Sequence, residues 1–198
     1  GAVAECGQQV DDNNIICIDG SKISNDKPED ILIAFNKPVG IVCTTTNKQG
    51  NNNIVDYIGY SERIYPIGRL DKESDGLILL TNNGEITDRI LRSVNGHEKE
   101  YIVKVTKDFL DKMSAGVYLK ELNVKTKQCR IYKVNSNTFR IVLTQGLNRQ
   151  IRRMCQELGY KVEKLTRIRV MNIELGDIAC GEYRVVEGAE KEKLYNSL

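Results

Sequence analysis

Histidine is nearly absent from this 198-residue chain, which has one, His97, and no tryptophan. The six cysteines (6, 17, 43, 129, 155 and 180) are scattered, and no two stand in C-x-x-C spacing. With so little histidine, that argues against a structural zinc site. It predicts reduced core thiols in a cytoplasmic protein. No apolar run approaches the roughly 18 residues that a membrane span needs, and no signal peptide is present. No membrane partner is expected.

What remains is the make-up of a soluble globular protein, with 40% hydrophobic and 28% charged residues, enough for one domain with a substantial core. Gly1 in place of methionine points to a trimmed fragment. The net charge of +2 hides an asymmetry. Residues 1–35 hold seven acids against two lysines, whereas residues 146–170 hold seven bases against two acids. The basic stretch suits a phosphate-bearing partner, although a charged face is more often simply solvated.

The chain is organised around YPIGRLDKESDGLILLT, residues 65–81. Asp71 follows a Gly-Arg-Leu turn, and the apolar run 77–80 ending at Asn82-Asn83-Gly84 predicts a buried strand. Upstream, residues 1–30 read as the last strands of a larger module plus a linker: a short strand at 15–18, an Asp-Gly turn, and a polar stretch at 25–30. Strands are expected at 31–35 and 41–45 around Lys37-Pro38, a polar loop at 47–53, and a helical turn at 54–58. Helical spacing marks 84–92, and alternation marks a half-buried strand at 99–105. A short helix at 109–113 and a hairpin of strands 128–134 and 138–144 follow. The clearest helix is 147–158, with Gly159 as a left-handed cap. Strands at 162–165, 168–175 and 183–186 complete an α+β domain, 31–198, with a mainly antiparallel or mixed central sheet flanked by helices.

Several motifs have bland readings. Asp71, Glu73, Asp75 and Gly76 imitate the start of a calcium loop, but its closing position is Asn82 and no helix precedes it. His97 lies in a charged turn, where a solvated histidine is expected. Tyr101 would by default be a core tyrosine. The face of Arg149, Arg152 and Arg153 could be solvated, yet so many cations beside one acid favour an anionic ligand.

The strings NKPVGIVCTT, YPIGRLDKESDGLILLTNNG, HEKEYIV and QGLNRQIRRMCQELGYKVEKLTRIRVMNI, in that order, resemble the motifs of the pseudouridine synthases of the ribosomal small-subunit type A family. The resemblance runs from about residue 31 to 186. It implies a cofactor-free, metal-free isomerisation of uridine to its C-glycoside in RNA, on that family's catalytic fold. The expected partner is large-subunit (23S) ribosomal RNA, with transfer RNA as a further candidate, and the expected oligomeric state is a monomer. The family's catalytic aspartate falls on Asp71, its base-stacking tyrosine on Tyr101, and its arginine partner on Arg152. Arg69 would hold the flipped nucleotide or its phosphate, and Leu165 would lie beneath the base. Lys37, Arg149, Arg153, Lys164, Arg167 and Arg169 complete the expected RNA-binding set. Members usually carry an N-terminal S4-type RNA-binding module, of which residues 1–30 match only the end and linker.

The chemistry suits these residue types. A carboxylate can attack C1′ of the ribose or take the proton from C2′, and Asp71 suits both paths. An arginine stabilises its charged form and orients it. A base inside a helix must be flipped out and held by an aromatic ring. Two other classes remain: an RNA-binding or ribosome-assembly module without turnover, and a metal-dependent nuclease built on Asp71, Glu73 and Asp75.

Overall fold

The 77–80 run has no polar face, so its strand must be covered on both sides, and the fold is built to do this. The structure is a computed structural model that describes residues 3–11, 13–22, 29–45, 53–92, 96–108 and 112–198. Its strands are β1 Cys17–Ile18, β2 Ser21–Lys22, β3 Leu32–Lys37, β4 Tyr65–Pro66, β5 Asp75–Thr81, β6 Lys99–Val105, β7 Tyr118–Leu119, β8 Val124–Lys125, β9 Arg130–Lys133, β10 Thr138–Leu143, β11 Val162–Val170, β12 Ile173–Glu174 and β13 Tyr183–Val185. The helices are α1 Ile54–Ile58, α2 Gly84–Leu91, α3 Gln150–Glu157 and α4 Gly188–Asn196.

Among the described residues, nine strands form one sheet in the order β13-β3-β5-β11-β6-β10-β9, with β4 on β5 and β12 on β11. Every pairing in it is antiparallel except β5 with β11. The α+β reading with a mixed sheet therefore holds. Leu77 and Leu79 pack toward α2 and α4 with Ile86, Ile90 and Leu194. Ile78 and Leu80 pack toward Ile41, Ile54 and Ile64 on the other face. The β6–β10 half covers its apolar face with α3, through Ile151, Met154 and Cys155.

The one parallel contact is very short, Asp75 opposite Thr166 and Gly76 opposite Arg167. A Cβ on Gly76 would stand 2.3 Å from the Arg167 carbonyl oxygen and 2.7 Å from its nitrogen, and Gly76 has φ +99°. Only glycine permits both the approach and the backbone conformation. Gly76→Ala is therefore expected to destabilise the fold by about 3 kcal/mol, combining left-handed strain with displaced backbone. An unchanged urea midpoint would show that the two strands can move apart freely.

Several expectations need correction. Residues 41–45 form no strand, only an isolated bridge from Val42 to Asn53. Their backbone groups are engaged otherwise, since the Ile41 carbonyl accepts from Lys37 Nζ. The strands expected at 162–165 and 168–175 are one strand, β11, with irregularities at Val162/Lys164 and Arg167/Arg169, followed by the short β12. Helix α3 starts at Gln150, because Arg149 is left-handed at φ +50°. Gly159 does close it at φ +75°, with Tyr160 N donating to Cys155 O at 2.8 Å. Lys112 and Met113 are not helical, and residues 109–111 lie outside the described residues, as do 23–28 of the linker and 46–52 of the polar loop. Helix α4 and the β7–β8 hairpin were not expected. Within 3–22, no described side chain is buried.

Candidate active site

The turn that carries Asp71 is pinned at five places. Ile67 N donates to Leu79 O at 2.7 Å, Gly40 N donates to Lys72 O at 2.8 Å, and Ser74 N closes the turn on Asp71 O at 3.0 Å. Leu70 N donates to the buried Cys43 Sγ at 3.3 Å. The fifth is Arg152, whose Nη2 donates to Glu73 O at 3.1 Å and to Ser74 Oγ at 3.2 Å.

The same guanidinium faces the aspartate. Arg152 Nε lies 3.8 Å from Asp71 Oδ2, and that Nε is buried with no hydrogen-bond partner. Arg149 Nη1 approaches the same oxygen at 3.9 Å while its Nη2 donates to Glu73 Oε2 at 2.9 Å. That hydrogen bond holds the Glu73 carboxyl below its ordinary range and raises Arg149. Asp71 is thus a half-exposed carboxylate between two guanidiniums, with a geometry that a bound substrate can tighten.

Asp71 opens on a cavity of about 720 Å³. Arg69, exposed, and Arg149 stand among its lining with Tyr101, Leu165 and Arg167. Tyr101 on β6 pairs directly with Arg167 on β11, so both point to one face of the sheet. Tyr101 is half-buried between two core clusters, and Leu165 is buried beside it.

The structure brings Asp71, Tyr101, Arg152, Arg69, Arg149, Leu165 and Arg167 together. It does not bring the remaining expected RNA ligands to the cavity. Lys37 is a correction: it is fully buried, and its Nζ donates to Pro38 O at 2.8 Å and Ile41 O at 2.9 Å. Burial lowers its pKa, against the pull of Cys43, Asp75 and Asp71. It fastens the 37–41 turn behind the site. Arg169 is a second correction. The bulge after Arg167 turns it to the opposite face, where it donates to Glu100 at 2.8 Å and Glu98 at 3.1 Å. Arg153 pairs with Glu121 and donates to Asn148 O, and Lys164 lies 3.4 Å from Asp75. Neither lines the cavity. His97, expected as solvated, is half-buried, and burial lowers its pKa.

Two residues went unnoticed in the sequence. Ser74 is buried under Arg152. Lys99 lines the cavity, and burial lowers its pKa, with the Arg167 charge adding to the effect. Its signal was available, because a residue two before Tyr101 on a strand shares its face. The three carboxylates of the calcium-like string do not converge. Asp75 accepts from Thr166 Oγ1, and Glu73 is held by Arg149. No cluster of three metal-binding side chains exists among the described residues.

A braced carboxylate, an aromatic ring and cationic side chains are gathered around one cavity. The chain belongs to the RNA pseudouridylate synthase family, whose model matches residues 31–157. It is 50% identical over 189 residues to the dual-specificity RNA pseudouridine synthase RluF of Escherichia coli strain K12, covering 93% of this chain and 64% of that protein. The chain therefore spans less than two thirds of the length of that relative. Ribosomal large subunit pseudouridine synthase B of Bacillus subtilis is 29% identical over 201 residues, covering 97% and 82% of the two chains. The crystal structure of a pseudouridylate synthase superposes with TM-score 0.77 at 26% identity, over 86% of this chain and 74% of that one. These names support the RluF type and do not carry the small-subunit type A label attached to the resemblance above. Among the described residues no helix is long and apolar enough to cross a membrane.

Proposed function

We propose that this chain isomerises a specific uridine to pseudouridine in 23S ribosomal RNA, with Asp71 acting at the ribose, Arg152 holding Asp71, and Tyr101 stacking on the flipped base. The observation that carries this reading is the placement of Asp71 Oδ2 3.8 Å from a buried Arg152 Nε that has no hydrogen-bond partner and stands equally far from Glu73 Oε2, at a cavity that Asp71 and Tyr101 both line. The reading includes a cytoplasmic monomer without cofactor or metal, of the large-subunit type F, and residues 1–30 as the end of an S4-like module. The dual specificity for which the RluF relative is named favours a second RNA substrate, for which transfer RNA is the candidate.

The decisive experiment maps pseudouridine in ribosomal RNA from cells with and without the protein. Loss of one modified position is expected, and an unchanged map would overturn the ribosomal assignment. In the test tube, conversion that survives a chelator separates this chemistry from the nuclease. Conversion of any kind separates it from an idle binding module.

Paired cations limit how many phosphates this surface can neutralise. Arg149 is engaged by Glu73, Arg153 by Glu121 and Lys164 by Asp75. Glu73→Gln frees Arg149 for a phosphate, so RNA affinity should rise at low salt. The log–log salt slope should steepen by roughly 0.7–0.9, the effect of one added phosphate contact. An unchanged slope would mean that Arg149 meets no phosphate.

A further inference from the structure

Among the described residues, two cations of the cavity floor have no anion in ion-pair range. Arg167 is 3% exposed, its Nε donates to Leu77 O at 2.6 Å, and its Nη2 is buried without a hydrogen-bond partner. Among the described residues, Lys99 Nζ donates to the His97 carbonyl at 3.5 Å and to no carboxylate. Register sets the two around the tyrosine, with Arg167 opposite Tyr101 and Lys99 two residues before it on the same strand. The carboxylates in reach of this sheet are engaged elsewhere. Glu98 and Glu100 hold Arg130, Arg140 and Arg169, Asp75 holds Thr166 and Lys164, and Asp71 faces Arg149 and Arg152. A buried cation left without a counter-charge is costly, and such a cost is tolerated where negative charge arrives in function.

Which negative charge arrives follows from how a nucleotide enters. Its phosphates stay with the RNA chain at the mouth, near the exposed Arg69 and Arg149. The base goes in deepest, stacked on Tyr101. We propose that Arg167 and Lys99 bind the carbonyl oxygens of the flipped uracil and stabilise the uracil anion released when the C1′–N1 bond breaks. This rests on the isomerase reading above.

The electron count is the same for both paths open to Asp71. If Asp71 attacks C1′, a carboxylate C–O bond forms as the C1′–N1 pair leaves on N1. If Asp71 takes the C2′ proton, the C2′–H pair becomes the C1′=C2′ bond and the C1′–N1 pair again leaves on N1. Either way one negative charge spreads from N1 onto O2 and O4. The two cations sit on the side of the base where that charge develops, fixed in place beforehand. C5 then bonds to C1′ as the Asp71 C–O pair returns to the carboxylate or, on the other path, as the C1′=C2′ pair takes the proton back from Asp71 at C2′; C5 loses its proton, N1 gains one, and the base leaves neutral.

The test compares RNA carrying uridine with the same RNA carrying 5-fluorouridine at the target, whose base is the more acidic leaving group. The readout is the single-turnover rate at which the N-glycoside is lost. Arg167→Met and Lys99→Met should each slow the uridine substrate by about 100-fold, the lower end for losing one donor to a developing oxyanion. The loss should be distinctly smaller with 5-fluorouridine, and RNA affinity should fall far less than the uridine rate. Arg167→Lys keeps the charge and should recover part of the uridine rate. Should Arg167→Met fail to fold, Lys99→Met and Arg167→Lys carry the comparison. Equal losses on the two substrates, or no loss, would overturn the proposal while leaving an active isomerase. A wild-type protein that cleaves neither substrate would overturn the isomerase reading itself, and this proposal with it.

Discussion

Asp71→Asn is expected to give a folded, RNA-binding protein that makes no pseudouridine. The substitution preserves shape and removes the charge. What holds the turn is backbone, not the carboxylate: Ser74 N bonds the Asp71 carbonyl, and Arg152 bonds Glu73 O and Ser74 Oγ. An amide can neither attack C1′ nor accept the C2′ proton. We expect at least a ~10⁴-fold loss in the single-turnover rate, about 5 kcal/mol of transition-state stabilisation. The melting temperature and RNA affinity should stay near the parent values, which places the loss in the chemical step. A well-folded Asp71→Asn protein working within tenfold of the parent would remove Asp71 from the chemistry.

How far this site can be read from the sequence depends on whether a residue's neighbours are local. Strand β6, residues 99–105, follows from its own alternation, and the buried 77–80 run announces β5. Gly159 marks the end of α3 because a left-handed cap is a local requirement. Errors fall where long-range partners decide. Residues 41–45 look like a strand, but the buried Lys37 ammonium takes the Ile41 carbonyl that a ladder would need. Lys37 itself reads as a surface cation, since nothing local shows that two carbonyls will receive it. Arg167 and Arg169 alternate as if they shared a face, and one bulge separates them, sending Arg169 to Glu98 and Glu100. Helix α4 carries a run of four charged residues, 190–193, and buries only Leu194, so its periodicity gives little signal. Asp71, Arg152 and Tyr101 were named through family resemblance. What the structure adds is how they meet: α3 and β6 converge on a turn that β5 and β11 hold at Gly76.

The second large effect is expected at Arg152, where two tasks meet in one side chain. Its Nη2 braces the Asp71 turn through Glu73 O and Ser74 Oγ, while its Nε faces Asp71 Oδ2 at 3.8 Å. The side chain is only 14% exposed, so water replaces it poorly. Arg152→Lys keeps a charge but has no planar fork to serve both tasks. We expect kcat to fall by about 10²–10³-fold, the range for losing one placed electrostatic partner. Arg152→Ala should fall at least as far and also destabilise the fold by about 1–3 kcal/mol, since Ser74 Oγ is then buried without its donor. Arg149, 3.9 Å from the same carboxylate oxygen, supplies charge but not the brace, and should not rescue either variant. The partnership itself is tested by a double-mutant cycle. If Arg152 acts through Asp71, removing it from the Asp71→Asn protein should cost little further rate, because the group it serves is already gone. Normal kcat with weakened RNA binding in Arg152→Ala would make Arg152 a phosphate ligand, and would leave Asp71 to be oriented by its turn alone.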